Sequence, residues 1–82
     1  MPLLPDELRA RICAALPDAA VNVTDTTGGG DHFAATVVSA SFRDKSALER
    51  HRMVYAALGD LMKGAVHALA LTTETPEEYK RT

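Results

Sequence analysis

The stretch from Val37 to Leu71, VVSASFRDKSALERHRMVYAALGDLMKGAVHALAL, most constrains the fold of this chain. It holds a strand-like run, a short connector, one strongly amphipathic helix and a second strand-like run. Ser46-Ala47-Leu48-Glu49 has the grammar of a capping box, in which the Ser hydroxyl accepts from the backbone and Glu49 reaches back. The helix that follows is expected to run to about Met62. At ~100° per residue its apolar face collects Ala47, Val54, Leu58 and Leu61, flanked by His51, Tyr55 and Met62. Glu49, Arg52, Ala56 and Asp60 lie opposite. Gly59 weakens the last turns, and Gly64 is the expected cap. Residues 65–72, AVHALALT, read as a strand with His67, Leu69 and Leu71 on one face and Val66, Ala68 and Ala70 on the other. A strand-helix-strand unit of this kind is expected to cross over right-handed.

The remaining elements are built around that unit. Residues 5–16 predict a helix, with Pro5 at its first position, Asp6 and Glu7 at the positive end of its dipole, and Leu8, Ile12 and Leu16 as its apolar stripe. Pro17 ends it, and Arg9 and Arg11 are expected to face water. Residues 20–25, AVNVTD, and 32–39, HFAATVVS, predict two strands joined through Thr26-Thr27-Gly28-Gly29-Gly30-Asp31, an antiparallel hairpin. Phe42, in the connector Ser39 to Lys45, is expected to anchor to the core. Thr75-Pro76-Glu77-Glu78 repeats the helix-start grammar and predicts a short C-terminal helix. The order α-β-β-α-β with a terminal helical turn is an α+β sandwich: a small three-stranded mixed sheet covered by helices on one face. The other face, with small residues such as Ala34 and Thr36, is expected to be partly exposed.

Eighty-two residues bound the answer to a single domain, 1–82, with a thin core. Hydrophobic residues at 46% against 24% charged give a globular balance rather than a disordered one. A formal charge of −2 argues against nucleic-acid binding by bulk electrostatics. Cys13 stands alone, so no disulfide forms within the chain and nothing points to secretion. The start MPLLPDEL lacks the basic and apolar regions of a signal peptide, and no apolar run approaches the ~18 residues of a membrane span. The expected location is the cytoplasm.

No catalytic constellation stands out, and the chain is read as no enzyme. There is no GxSxG elbow, and Gly59 to Gly64 lacks the Lys-Ser/Thr of a phosphate loop. Cys13 reads as a small, partly buried thiol. His32, His51 and His67 include no pair at zinc-motif spacing, so a closed metal site from this chain alone is not expected. On pattern alone each histidine is better read as structural, His51 as a core-edge ring bonded to backbone.

Taken together, the pieces resemble the BolA family. The resemblance is carried by Val37-Val38-Ser39 with Phe42, Arg50-His51-Arg52-Met53-Val54-Tyr55 with Leu58, Val66-His67-Ala68-Leu69 and Thr75-Pro76-Glu77-Glu78, with Asp31-His32-Phe33 in addition. It covers the chain from about Val21 to Glu78. What it implies is a fold like the class II KH domain and a non-enzymatic partner of monothiol glutaredoxins. In such a heterodimer a [2Fe-2S] cluster is shared between the glutaredoxin cysteine, glutathione and a BolA-like histidine, in cluster assembly, trafficking or iron homeostasis. His67 matches the family's C-terminal-strand histidine ligand, which reverses the structural reading of that residue. Neutral imidazole can replace thiolate on one iron, raising the potential. Alone, the chain is expected to hold no cluster.

One departure bears on the second ligand. Family members often carry a Cys or His in a longer loop between the first two strands; here the loop is the short TTGGGDH, without Cys. His32, at its end, is the second candidate metal ligand, and Asp31 ranks below it. The runner-up reading is a KH-like nucleic-acid-binding transcriptional regulator, with weak DNA binding through Lys45, Arg50 and Arg52. Against it stands the absence of the GxxG loop with which KH domains clamp nucleotides. A homodimer stays open as an alternative assembly.

Overall fold

The computed structural model describes residues 3–81. Helix α1 spans Pro5–Ala15, strand β1 Ala20–Asp25, strand β2 His32–Val38, helix α2 Ala47–Leu58, strand β3 Ala68–Glu74 and helix α3 Pro76–Lys80; 3-10 turns cover Ala40–Phe42 and Gly59–Lys63. The α+β order read from the sequence is the one observed. β2 is the central strand, antiparallel to β1 and parallel to β3.

Local chemistry sets the boundaries. In α2 the Ser46 Oγ accepts from Glu49 N–H at 3.1 Å and the Glu49 carboxylate accepts from Ser46 N–H at 3.0 Å, so both halves of the capping box form. In α3 Thr75 and Glu78 do the same, at 3.2 and 2.7 Å. α1 starts differently: Leu4 has no side-chain acceptor, and Glu7 alone supplies the bond, from Leu4 N–H at 3.1 Å. Ser39 caps the Ala40–Phe42 turn, its Oγ accepting from Ser41 N–H at 3.0 Å, and the carboxylate of Asp18 braces that cap. It accepts from Ser39 Oγ at 2.9 Å and from Ala40 N–H at 2.8 Å, and those bonds, the Ser39 one foremost, hold its pKa below the ordinary value.

Register then makes the core. Phe33, Ala35 and Val37 of β2 are buried on the face that receives α1 and α2, with Val21 and Val23 beside them on β1 and Leu69 and Leu71 on β3. The α1 stripe is as expected: Leu8 and Ile12 have no exposed surface and Leu16 very little. Phe42 is also completely buried, as an anchor should be. Each such side chain contributes about 1.5–3 kcal/mol by leaving water. The opposite sheet face is open apart from a shallow groove lined by Ala20, Asn22, Thr36, Val38 and Tyr79 of α3.

Four expectations are corrected. α2 ends at Leu58, not near Met62, because Gly59 takes φ 57°, outside the right-handed helical region; the Gly59 N–H bonds Tyr55 O and the chain continues as a 3-10 turn that Gly64 ends. Arg11 does not face water alone: its Nη1 donates to Leu58 O at 3.3 Å and contacts Asp60 at 3.2 Å, placing a cation at the negative end of α2. The core face of α2 holds Val54 and Leu58 as expected, with Leu61 packed beside them from the following turn, but Ala47 is exposed, and Met53 and Arg50 are partly buried in its place. β3 begins at Ala68 rather than residue 65, since parallel pairing opposes Ala68 to His32, the first residue of β2. Val66 is consequently a buried residue of the preceding turn, and His67 stands outside the alternation that placed it with Leu69.

Candidate functional site

The β1–β2 loop is built from the backbone outward. Asp25, at the end of β1, accepts through Oδ1 from Thr27 N–H (3.2 Å) and Gly28 N–H (2.8 Å) and through Oδ2 from Gly30 N–H (2.8 Å). Folding three amides around one carboxylate needs tight reversals, and Gly28 and Gly30 supply them at φ 78° and 75°, where an L side chain would be strained. Thr26 closes the hairpin, its N–H donating to His32 O at 2.9 Å. The loop thus delivers Asp31 and His32 in one fixed orientation at the head of the central strand.

The same end of the sheet receives His67. Its backbone N–H donates to Asp31 O at 2.8 Å, and Ala68 N–H donates to the same oxygen at 3.3 Å. Two histidines 35 positions apart in sequence come together in this way, with ring centroids 6.0 Å apart and planes at 79°. Between them lies the Asp31 carboxylate. Oδ1 is 2.9 Å from His32 Nδ1, and Oδ2 is 3.5 Å from His67 Nδ1. The His32 hydrogen bond, with smaller attraction from both rings, holds the Asp31 carboxyl below its ordinary pKa. Both rings are accessible, the His32 side chain 42% and that of His67 63% exposed.

Of the candidates read from sequence, the structure therefore brings together His67, His32 and Asp31. Among the described residues no group of three or more His, Cys, Asp or Glu side chains is arranged to hold a metal ion. The donor set available is two imidazoles whose Nδ1 atoms are turned to a carboxylate, which leaves each ring one further nitrogen. Such a set fits part of a metal coordination sphere. Spacing along the chain could not reveal it, because the pairing depends on the parallel register of β2 with β3. The signal was there in another form: an Asp-His step heading one strand and a His heading its parallel neighbour.

The remaining histidine and the arginines behave otherwise. The ring of His51 packs edge-on against Tyr55 at 6.4 Å instead of bonding backbone as expected. Arg50 is only 14% exposed. It donates through Nε to Phe42 O and Lys45 O, pairs with Glu78 at 2.7 Å and covers the Phe42 ring. Arg43 grips Glu77 through two bonds, at 2.6 and 2.8 Å. Of the three cations read as a nucleic-acid patch, Lys45 and Arg52 are exposed, and Arg50 is committed to holding α2 against α3.

Comparison with known proteins identifies the family and the fold. The family model described as BolA-like protein matches residues 5–78. Protein BOLA2 of Arabidopsis thaliana is 40% identical over 77 residues, covering 92% of this chain and 82% of that protein. BolA-like protein 1 of Mus musculus is 35% identical over 80 residues, 89% of this chain but 58% of its own length; the chain spans from about two fifths to three fifths of the mammalian relatives it matches. Among solved structures, a bolA protein homologue from Coxiella burnetii superposes with TM-score 0.82 at 39% identity, covering 96% of this chain and 99% of that one. The BolA domain of SufE1 from Arabidopsis thaliana gives 0.81 at 31% identity, covering 90% and 93%. The chain belongs to the BolA-like protein family.

Proposed function

We propose that this chain is a non-enzymatic partner of a monothiol glutaredoxin and lends imidazole to a [2Fe-2S] cluster shared with the glutaredoxin cysteine and glutathione. The observation that carries this reading is the accessible pair His32 and His67, 6.0 Å apart, which among the described residues is not joined by the further ligands a self-sufficient site would need. A pair of histidines is a poor site by itself and a reasonable half of an intermolecular one. His67 is the leading ligand, being the more exposed ring, and His32 the second. When bound, such a cluster would supply one-electron and transfer chemistry, with imidazole ligation raising its potential over an all-thiolate site. The chain's own contribution is to present the rings at a rigid sheet end.

The test is to mix the purified chain with cluster-loaded monothiol glutaredoxin and glutathione. The wild type is colourless alone and forms a heterodimer whose visible spectrum differs from that of the glutaredoxin homodimer. His67→Ala keeps the fold and loses the altered spectrum, and His32→Ala has a smaller effect. An unchanged spectrum in His67→Ala refutes the assignment.

A second reading draws on one relative, the DNA-binding transcriptional regulator BolA of Haemophilus influenzae, 40% identical over 53 residues. Against it, Arg50 is tied into the fold, which reduces the basic patch to Lys45 and Arg52. Tight, sequence-specific binding at physiological salt, lost in Arg52→Ala, would favour it.

A further inference from the structure

The Asp31 carboxylate places one oxygen against each histidine: Oδ1 at 2.9 Å from His32 Nδ1 and Oδ2 at 3.5 Å from His67 Nδ1. An ionised carboxylate only accepts hydrogen bonds, so His32 Nδ1, which is hydrogen-bonded to Oδ1, must carry a proton, while His67 Nδ1 stands at the longer distance of an electrostatic contact that also favours a proton there. A neutral imidazole has one N–H; with that proton on Nδ1, the lone pair is on Nε2. Metal-ligating histidines characteristically donate their other N–H to a carboxylate or carbonyl, which fixes tautomer and ring orientation.

We infer that Asp31 is a positioning residue that holds His32 by a hydrogen bond, and His67 by the longer electrostatic contact, in the Nδ1–H tautomer, leaving Nε2 of each ring as the ligating atom. The inference rests on the cluster-partner reading and assigns Asp31 a place behind the two ligands instead of among them. The backbone makes the carboxylate a fixed reference. Asp31 O receives the N–H groups of His67 and Ala68, and the preceding loop is pinned by the three amides on Asp25. One side chain thus orients two rings that belong to two different strand ends. Removing it disturbs both together, whereas removing either histidine leaves the other with its carboxylate.

The experiment reads imidazole tautomers by long-range 15N–1H correlation in the isolated chain, at a pH where the rings are neutral. In the wild type His32 and His67 both show Nδ1–H and an Nε2 lone pair. In Asp31→Ala both revert together toward the Nε2–H form usual for solvated imidazole, while His51, packed on Tyr55, does not change. Asp31→Asn offers one carbonyl oxygen in place of two and retains the Nδ1–H form at one ring at most; it also serves if the alanine variant fails to fold. With cluster-loaded glutaredoxin, Asp31→Ala holds the cluster about 10–100-fold less tightly. Wild-type rings in the Nε2–H form, tautomers unmoved in both variants, or unchanged cluster retention each overturn the positioning role. The tautomers are read without a cluster, so a wild type with the expected tautomers that never alters the glutaredoxin spectrum refutes the cluster reading and leaves the hold of Asp31 on the rings standing.

Discussion

The two ends of this small sheet treat their polar groups in opposite ways. Where α2 and α3 start, the polar groups that join the two helices are consumed internally. Two capping boxes close on themselves, Arg50 joins Glu78 to the Phe42 and Lys45 carbonyls, and Arg43 clamps Glu77. At the other end, where β2 and β3 begin, Asp31 engages one nitrogen of each imidazole and leaves both rings accessible. Both ends are rich in ionisable residues. What separates a structural cluster from a candidate site here is whether the side chains brought together have bonding capacity left over, and the paired imidazoles have it.

The largest expected effects lie at the anchored end. Phe42→Ala removes a fully buried ring beneath Arg50 and should cost about 3–5 kcal/mol, measured by urea unfolding. For a domain of this size that is a large share of total stability, and a loss below about 1 kcal/mol would show that the end is not anchored through Phe42. Arg50→Ala should cost about 1–3 kcal/mol by removing the bonds to the Phe42 and Lys45 carbonyls and to Glu78 together with the cover over Phe42, whereas Arg52→Ala and Lys45→Ala should stay within about 0.5 kcal/mol. Equal effects for the three would return Arg50 to a surface patch.

Acid acts on the anchored end more gently. Asp18, held low by Ser39 and Ala40, and Glu78, held low by the Thr75 amide and Arg50, have depressed pKa values in the folded chain. Their contribution is complete above the ordinary carboxylate range and is lost as pH falls through that range toward the depressed values. The urea midpoint should therefore be insensitive to these groups near neutrality and drop below that range, with a shallower drop in Glu78→Gln. His67→Ala is expected to have a stability effect as small as Arg52→Ala, within about 0.5 kcal/mol, because the ring packs on nothing in the core. A cost above 2 kcal/mol would make His67 structural.

The anchored end was legible in the sequence, because capping boxes and the Leu8-Ile12-Leu16 stripe are written in residues three or four apart. The hairpin strands were legible for the same reason, since alternation is local. The limits of α2 and β3 were less so. Gly59 left the helix earlier than its weak propensity alone requires, and the start of β3 was set by pairing with His32 instead of by its own apolar pattern. The resemblance to a known family singled out His67 and His32, but their proximity and the role of Asp31 belong to parallel register, a long-range property. Arg11 was misplaced on similar grounds, its partners being 47 and 49 positions away.

The central claim is that the accessible imidazoles at the histidine end ligate iron in a shared cluster. The most direct measurement is pulsed EPR of the reduced heterodimer formed with monothiol glutaredoxin and glutathione, using this chain labelled with 15N-histidine. The account predicts hyperfine coupling of the strength expected for a coordinated imidazole nitrogen in the wild type, with the His67 component absent from His67→Ala. Coupling only of the weak kind given by distant nitrogens, identical in wild type and His67→Ala, would contradict it.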